Sequence, residues 1–383
     1  MSGRYVIIEA FLRWAETAKA ENRARAANAL GRAYLQSDMP KEERVAAEMA
    51  MTYLLDDPSP RVRLSLAEAV AHSPRTPRNV ILTLAEDQPE IAGQIILFSP
   101  VFTDADLVDL ALHGSDVTRV LIASRGQVPR VVCAALAEIG AETEILCLLE
   151  NDGALLSQAS LKRIAERLGD CADIRGLLLA RDALSSDIKH LLMRRVSDAL
   201  SESDLIQKVI GAGRLQQVTR EASDCATVAI AGSAQHEQLP DLVEHLRQSG
   251  WLTPAFLMHA LCSGKVDFFA CAITNLSGCD ERRARSIISR GRVYAIRALY
   301  ESAGLSRDIS TVFVEATLIW RDASRKNGEA MLENVSSHLA RKFRLTEQAA
   351  AAKQLLDMVE KLANTERRHA ARNFAALATL AAA

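Results

Sequence analysis

Apolar residues along this chain recur three and four apart, in short blocks that come back at regular intervals. The blocks begin at LLDDPSPRVRLSLAEAVA (54–71), LAEDQPEIAGQIILFS (84–99), IASRGQVPRVVCAALAEIG (122–140), LLENDGALLSQASLKRIAERL (148–168) and LLARDALSSDIKHLLMRRV (178–196). Each reads as a few apolar residues, a polar or charged turn, then an amphipathic helix. Successive starts lie 30, 38, 26 and 30 residues apart. That spacing holds one pair of helices per unit, the sequence sign of an α-solenoid. A two-helix unit exposes an apolar stripe on each side. Alone it cannot offset the roughly 1–2 kcal/mol per residue of backbone entropy lost on folding, so neighbours must stack.

Local signals predict the individual elements. Residues 4–20 and 22–36 read as a first helical pair, closed by Asp38-Met39-Pro40. KEERVAAEMAMTYLL (41–55) starts a helix with its acids early, as the helix dipole prefers. Asp57-Pro58-Ser59-Pro60 is a turn that puts proline at a helix start, and Ser73-Pro74 ends the next helix. The strip 77–125 predicts short helices, with Thr103 as an N-cap. Val128-Pro129 and Asn151-Asp152-Gly153 mark turns, and Ser185-Ser186-Asp187 caps IKHLLMRRV. The repeats are expected over 41–200.

Beyond 201 the pattern weakens. Gly211, Gly213 and Gly232 suggest a degenerate repeat leading into a junction near 232–240. The chain is therefore divided into 1–235, an N-terminal cap and repeat array, and 236–383, a second helical module. IISRGRVYAIRAL (287–299) echoes IASRGQVPRVVCAAL, so the second module is expected to use the same principle. Residues 307–342 predict one or two longer helices, and 346–381 one long Ala-rich helix. The fold class is all-α.

Composition agrees. Apolar residues make up 49% and aromatic residues only 4%, with 10 prolines and 18 glycines, which suits close helix–helix packing. No run of about 18 apolar residues suggests a membrane span, and Glu9 interrupts the first apolar stretch, unlike a secretory leader. Seven cysteines, an odd number with no C-x-x-C pair, read as small buried residues in a reducing, cytoplasmic setting.

Charge is uneven. Residues 1–36 carry 6 Lys/Arg against 3 Asp/Glu, 37–238 carry 20 against 30, and 239–383 carry 20 against 15. That asymmetry points to two modules, with intramolecular contact or separate partners for the two halves.

Candidate chemistry is sparse. The eight histidines are scattered, and H-E-x-x-H, G-x-S-x-G, G-x-x-x-x-G-K-[ST] and G-x-G-x-x-G motifs do not occur. No catalytic, cofactor or metal site is expected. Arginines stand out instead. Arg61 and Arg63 follow Asp56 and Asp57, and Arg125, Arg181 and Arg290 hold the corresponding place in their blocks. They suit a charge-assisted ladder between neighbouring units or a row facing an anionic ligand. Arg125, Asn151 and Arg181 are expected near a concave binding face. Arg282, Arg283, Arg285, Arg290, Arg292 and Arg297 cluster within 16 residues; they suit a solvated face paired to the acidic half, or a phosphate or acidic protein surface. Trp251, Phe256, Phe268 and Phe269 are expected in the core or as anchors of a peptide groove. Leu355, Val359, Leu362, Phe374 and Leu377 on the final helix suit a cap on the array or a homodimer contact.

The stretch from LLDDPSPRVRLSLAEAVAHSP through LLENDGALLSQASLKRIAERL, with the ordered phrases D-x-x-x-x-V-R-x-x-L-A-E, L-A-x-D, L-x-x-S-P and I-A-x-R, resembles an uncharacterised bacterial family. That family is a domain of unknown function with HEAT-like helical repeats. The resemblance covers about 50–305, and the helices from about 307 match less clearly. It implies a HEAT-like α-solenoid of stacked helix pairs with a second helical module and a long C-terminal helix, and it carries no activity. The expected function is a non-catalytic protein-interaction scaffold or adaptor without membrane contact. A nucleic-acid or phosphate binder using residues 282–297 is the alternative. A helical-repeat enzyme such as a DNA glycosylase is a further rival, opposed by the acidic balance of 37–238.

Overall fold

A computed structural model describes residue 11 and residues 13–325, 335–344 and 349–382. Every regular element among these is helical; the one β-type pairing is an isolated bridge between Val128 and Ala154. The chain divides into two compact units, Met1–Asp182 and Ala183–Ala383.

The first unit contains α1 (Ala20–Gln36), α2 (Lys41–Leu55), α3 (Pro60–Val70), α4 (Arg78–Ala85), α5 (Pro89–Phe98), α6 (Asp104–His113), α7 (Asp116–Ala123), α8 (Arg130–Ile139), α9 (Glu142–Glu150), α10 (Gln158–Leu168) and α11 (Ala172–Leu179). Starts follow local chemistry. Pro60 and Pro89 sit in the first turns of α3 and α5, where a missing N–H costs nothing. Thr103 and Asp106 form a reciprocal capping box at α6. Each odd-numbered helix packs on the next odd one from α1 to α11; α2 packs on α4, and α6, α8 and α10 pack in sequence. Leu66, Val70, Ile95, Ile96, Ile122, Ile145 and Leu148 are fully buried between them. Small residues permit the closest approach: a Cβ on Gly31 of α1 would stand 2.9 Å from the Cβ of Ala69 on α3. This is the Ala-rich, aromatic-poor core that the composition predicts.

The second unit contains α12 (Ser186–Glu202), α13 (Asp204–Ile210), α14 (Ala212–Ser233), a 3₁₀ turn (His236–Gln238), α15 (Leu239–Gln248), α16 (Pro254–Cys262), α17 (Val266–Ser277), α18 (Glu281–Arg290), α19 (Val293–Ser302), α20 (Arg307–Arg325), α21 (Val335–Phe343) and α22 (Ala350–Ala382). Its centre is α16, which packs on α14, α17, α20 and α22. Phe256, Leu257, Met258, Ala260, Leu261 and Cys262 are all buried, so this helix has almost no polar face. Phe269, Tyr300 and Phe313 meet with ring centroids 5.7–5.9 Å apart, and the Tyr300 hydroxyl bonds that of Thr317 at 2.6 Å.

Two expectations change here. The division falls between Asp182 and Ala183, well before the predicted junction near 235. The glycines misdirect: Gly211 does break the chain between α13 and α14, with φ 86°, but Gly213 and Gly232 lie inside α14. That helix is held along its length by Leu215, Thr219, Ser223, Thr227, Val228 and Ala231, packed against α12 and α16. Tertiary burial overrides the roughly 1 kcal/mol that each internal glycine costs. Residues 4–10 and 12 of predicted helix 4–20, and the middle of 307–342, lie outside the described residues.

Candidate interaction surfaces

Arginine and asparagine side chains join the helices of the first unit in two recurring ways. The first acts at helix starts. Arg23, Arg63, Arg119 and Arg175 are each the fourth residue of their helix, in α1, α3, α7 and α11. Each donates Nη1 back to a carbonyl just before its own helix: Ala18 at 2.6 Å, Asp57 at 2.6 Å, Gly114 at 2.9 Å and Gly169 at 3.0 Å. Arg23 also forks onto Asp57 at 2.6 and 2.9 Å, and Arg63 onto Asp87 at the same distances. Burial raises the Asp57 and Asp87 carboxyls, and the arginines together with the N–H groups of Ser59 and Gln88 more than reverse that, leaving both below the usual range.

The second way acts at helix ends. Arg125, which follows α7, donates to Ile96 and Ser99 at the end of α5. Asn151, which follows α9, donates to Ala123 and Arg125 at the end of α7, both at 2.7 Å. Arg167 of α10 closes α8 through Ala137 and Gly140 at 2.7 and 3.1 Å, and Arg181 after α11 closes α9 through Leu149 at 2.8 Å. Each supplies donors to C-terminal carbonyls that a helix cannot satisfy internally, always from two helices further on. Gly153 takes part in the same seam; a Cβ there would lie 2.1 Å from the Gly126 carbonyl oxygen.

Arg125, Asn151 and Arg181, expected near a binding face, are half-buried with these donors engaged inside the first unit. The bonds recorded for these three side chains hold helix ends together within the first unit. Burial lowers the Arg125 guanidinium.

The arginine cluster of the second unit behaves differently. Arg285 donates to Glu281 at 2.8 Å and Asp267 at 2.5 Å. Arg282, Arg283, Arg290 and Arg292 are exposed, and among the described residues their side chains make no hydrogen bond or ion pair. Phe256, Phe268 and Phe269 are core residues, and Trp251 is half-buried against that core. On α22, Ala352, Leu355, Val359 and Ala363 are buried, and the helix packs on α16, α20 and α21. That much of its stripe is used within the chain; the side chains of Phe374 and Leu377 lie outside the described set.

Three features carry little sequence signal. The first is α13, which buries no residue. Leu205 and Val209, four apart on its outer side, are 75% and 79% exposed, and Leu200, Ile210 and Val218 nearby are also exposed. The second is a histidine pair: buried His190 Nδ1 lies 3.1 Å from Nε2 of half-buried His245, with Trp251 edge-on to the His190 ring and Arg194 over that indole. Burial, then the neighbouring His245 and Arg194, lowers His190 to about 3. The third is a cleft of about 820 Å³ between α21 and α22, whose rim carries both signs, including Arg341, Arg344, Asp357 and Glu360. All seven cysteines are free thiols, and burial raises Cys133 to about 11. That suits a packing residue rather than a nucleophile.

The chain belongs to a family described as uncharacterised protein conserved in bacteria (DUF2336), whose model matches residues 91–353. The match starts later and runs further than the motif resemblance over 50–305. No curated protein and no solved structure matches the chain.

Proposed function

We propose that this member of the bacterial family is a non-catalytic, cytoplasmic interaction scaffold, with its first unit a HEAT-like solenoid. The regular packing of each helix on the one two places along supports the solenoid reading, because such arrays build length and surface from near-neighbour contacts. The observation that carries the interaction reading is the outer stripe of α13. Leu205 and Val209 face solvent while the helix buries nothing of its own. Contiguous apolar surface on a soluble protein marks a place where something docks. Free thiols throughout suit a reducing compartment.

The test is affinity capture from bacterial lysate by the full chain and by Leu205→Ser/Val209→Ser. Both side chains lie outside the core, so the variant keeps its circular dichroism and melting temperature. The wild type retains a partner at moderate salt and the variant loses most of it. Equal retention by the two, or none above bare resin for the wild type, refutes the reading.

A further inference from the structure

We propose that the outer face of α18, with the turn into α19, is a docking site for a carboxylate-rich segment of a partner protein. Arg282, Arg283, Arg290 and Arg292 bind its acids and Tyr294 seats an apolar side chain. Ala284 and Ile288 bury one side of α18, whereas Arg282, Arg283, Ser286, Ser289 and Arg290 are exposed on the other. At 100° per residue those five positions share an outward sector. Beyond Gly291 the same surface continues through exposed Arg292 and Val293 to Tyr294, which is 81% exposed.

These arginines make no ion pair among the described residues, and the neighbouring acids Asp280, Glu281 and Asp267 are engaged elsewhere. The Asp280 carboxylate accepts from the Arg283 backbone N–H at 3.1 Å as the N-cap. Glu281 and Asp267 are held by Arg285. The carbonyls that end α18 are filled by Arg321 of α20, which donates to Ile287 at 2.5 Å, Ile288 at 2.6 Å and Gly291 at 2.8 Å. By the pattern of the first unit, Arg290 would turn back to close α16, as Arg125 closes α5. But α16 is closed by its own backbone: Lys265 N–H donates to Ala260 at 2.9 Å and Gly264 N–H to Leu261 at 3.1 Å. Gly264 has φ 72°, the left-handed turn of a Schellman cap. The shared phrase S-R-G therefore ends inward in one unit and outward in the other.

Like charges on one helix face cost a few tenths of a kcal/mol per pair, and an external anion offsets that cost. The face is about 15 Å long, which spans four or five residues of extended peptide. A nucleic-acid strand would be better served by several stacking aromatics, where this surface offers Tyr294. The excess of acids over bases in 37–238, 30 to 20, also disfavours a long polyanion.

The test is fluorescence anisotropy of the full chain with three labelled probes: the peptide GEELEEFEELEG, its glutamine counterpart, and a twelve-nucleotide oligothymidylate. The acidic peptide binds at least tenfold tighter than the glutamine peptide and tighter than the oligonucleotide at about 150 mM salt. Arg290→Glu/Arg292→Glu weakens it at least tenfold, Arg282→Gln/Arg283→Gln several-fold and Tyr294→Ser about threefold. Arg130→Glu, an exposed arginine of the first unit, changes nothing. All variants keep the wild-type melting temperature within a degree or two. No preference for the acidic peptide, tighter oligonucleotide binding, or undiminished binding by both arginine variants overturns the proposal. The side chains tested differ from those of α13, so this assignment and the scaffold reading fail separately.

Discussion

In the first unit the last carbonyls of α5, α7 and α9 are met by Arg125, Asn151 and Arg181, side chains that follow the helix two places on. In the second unit those of α18 keep a borrowed cap, from Arg321 of α20, but those of α15, α16 and α19 are met by the backbone itself. Trp251, Lys265 and Leu305 N–H groups reach back to Leu246, Ala260 and Tyr300 across Gly250, Gly264 and Gly304, all with positive φ. Among the described residues, every positive-φ glycine lies in the second unit. The difference is physical. A cap borrowed from a neighbour makes each helix end depend on the next pair being in place, so the array is coupled step by step. A glycine cap is self-sufficient, which frees the helices to gather around α16 without a fixed period.

That contrast is most exposed to refutation at Arg63, where the largest effect is expected. Arg63→Ala removes the fork on Asp87 and the donor to Asp57, leaving a half-buried carboxylate without its cation. The expected loss is about 3 kcal/mol in urea denaturation. Hydrogen exchange is expected to quicken in α3 and also at the start of α5, because the bond joins them. Acid dependence changes too. Asp57 and Asp87 have folded values below the unfolded one, so their contribution is full above the unfolded carboxylate range and lost as pH falls through the folded values. Arg63→Ala flattens that acid limb. A loosening confined to α3 would remove the claim of step-by-step coupling.

The second unit carries its own pH signature at His190, with an effect of similar size that appears only in acid. The ring is buried against His245 of α15, Trp251 and Arg194 of its own helix, and its folded value of about 3 lies below the unfolded 6.5. The unfolded chain takes up a proton there that the folded one refuses. Stability from this site is therefore complete above pH 6.5 and declines as pH falls from 6.5 toward 3. Between pH 7 and 4 the expected decline is about 3 kcal/mol. His190→Leu shows a shallower slope across that window in melting temperature. An unchanged slope would mean that the ring ionises in place.

What could be read from the sequence follows from how far each signal reaches. KEERVAAEMAMTYLL gives α2 at its predicted limits, 41–55, because acids, periodicity and flanking breaks are all local. Thr103 likewise sits at its helix start. The partners of Arg125 and Arg181 were hidden, because a backbone carbonyl carries no residue signature and lies some thirty positions away. The same distance hid His190 and His245, 55 residues apart. Arg282 to Arg292 were visible as a cluster, but whether they were free depended on Arg321, which nothing in 282–297 announces. The stripe of α13 spans a helix of only 7 residues, too few for a helical period to stand out beside Gly211 and Gly213.

The smallest of the effects bears most directly on the difference between the two kinds of helix end. Gly264→Ala places a Cβ in the left-handed region, at φ 72°. The conformational penalty of that φ for an L-residue is about 1 kcal/mol. Because the cap is local, exchange is expected to quicken only at the end of α16 and in Ser263 to Lys265, leaving the amides of α14 and α20 protected as before. In the first unit, Asn151→Ala removes two donors from the end of α7 and is expected to disturb α7 and α9 together. If Gly264→Ala loosened α14 and α20 while Asn151→Ala stayed local, the assignment of coupled and self-sufficient helix ends would be reversed.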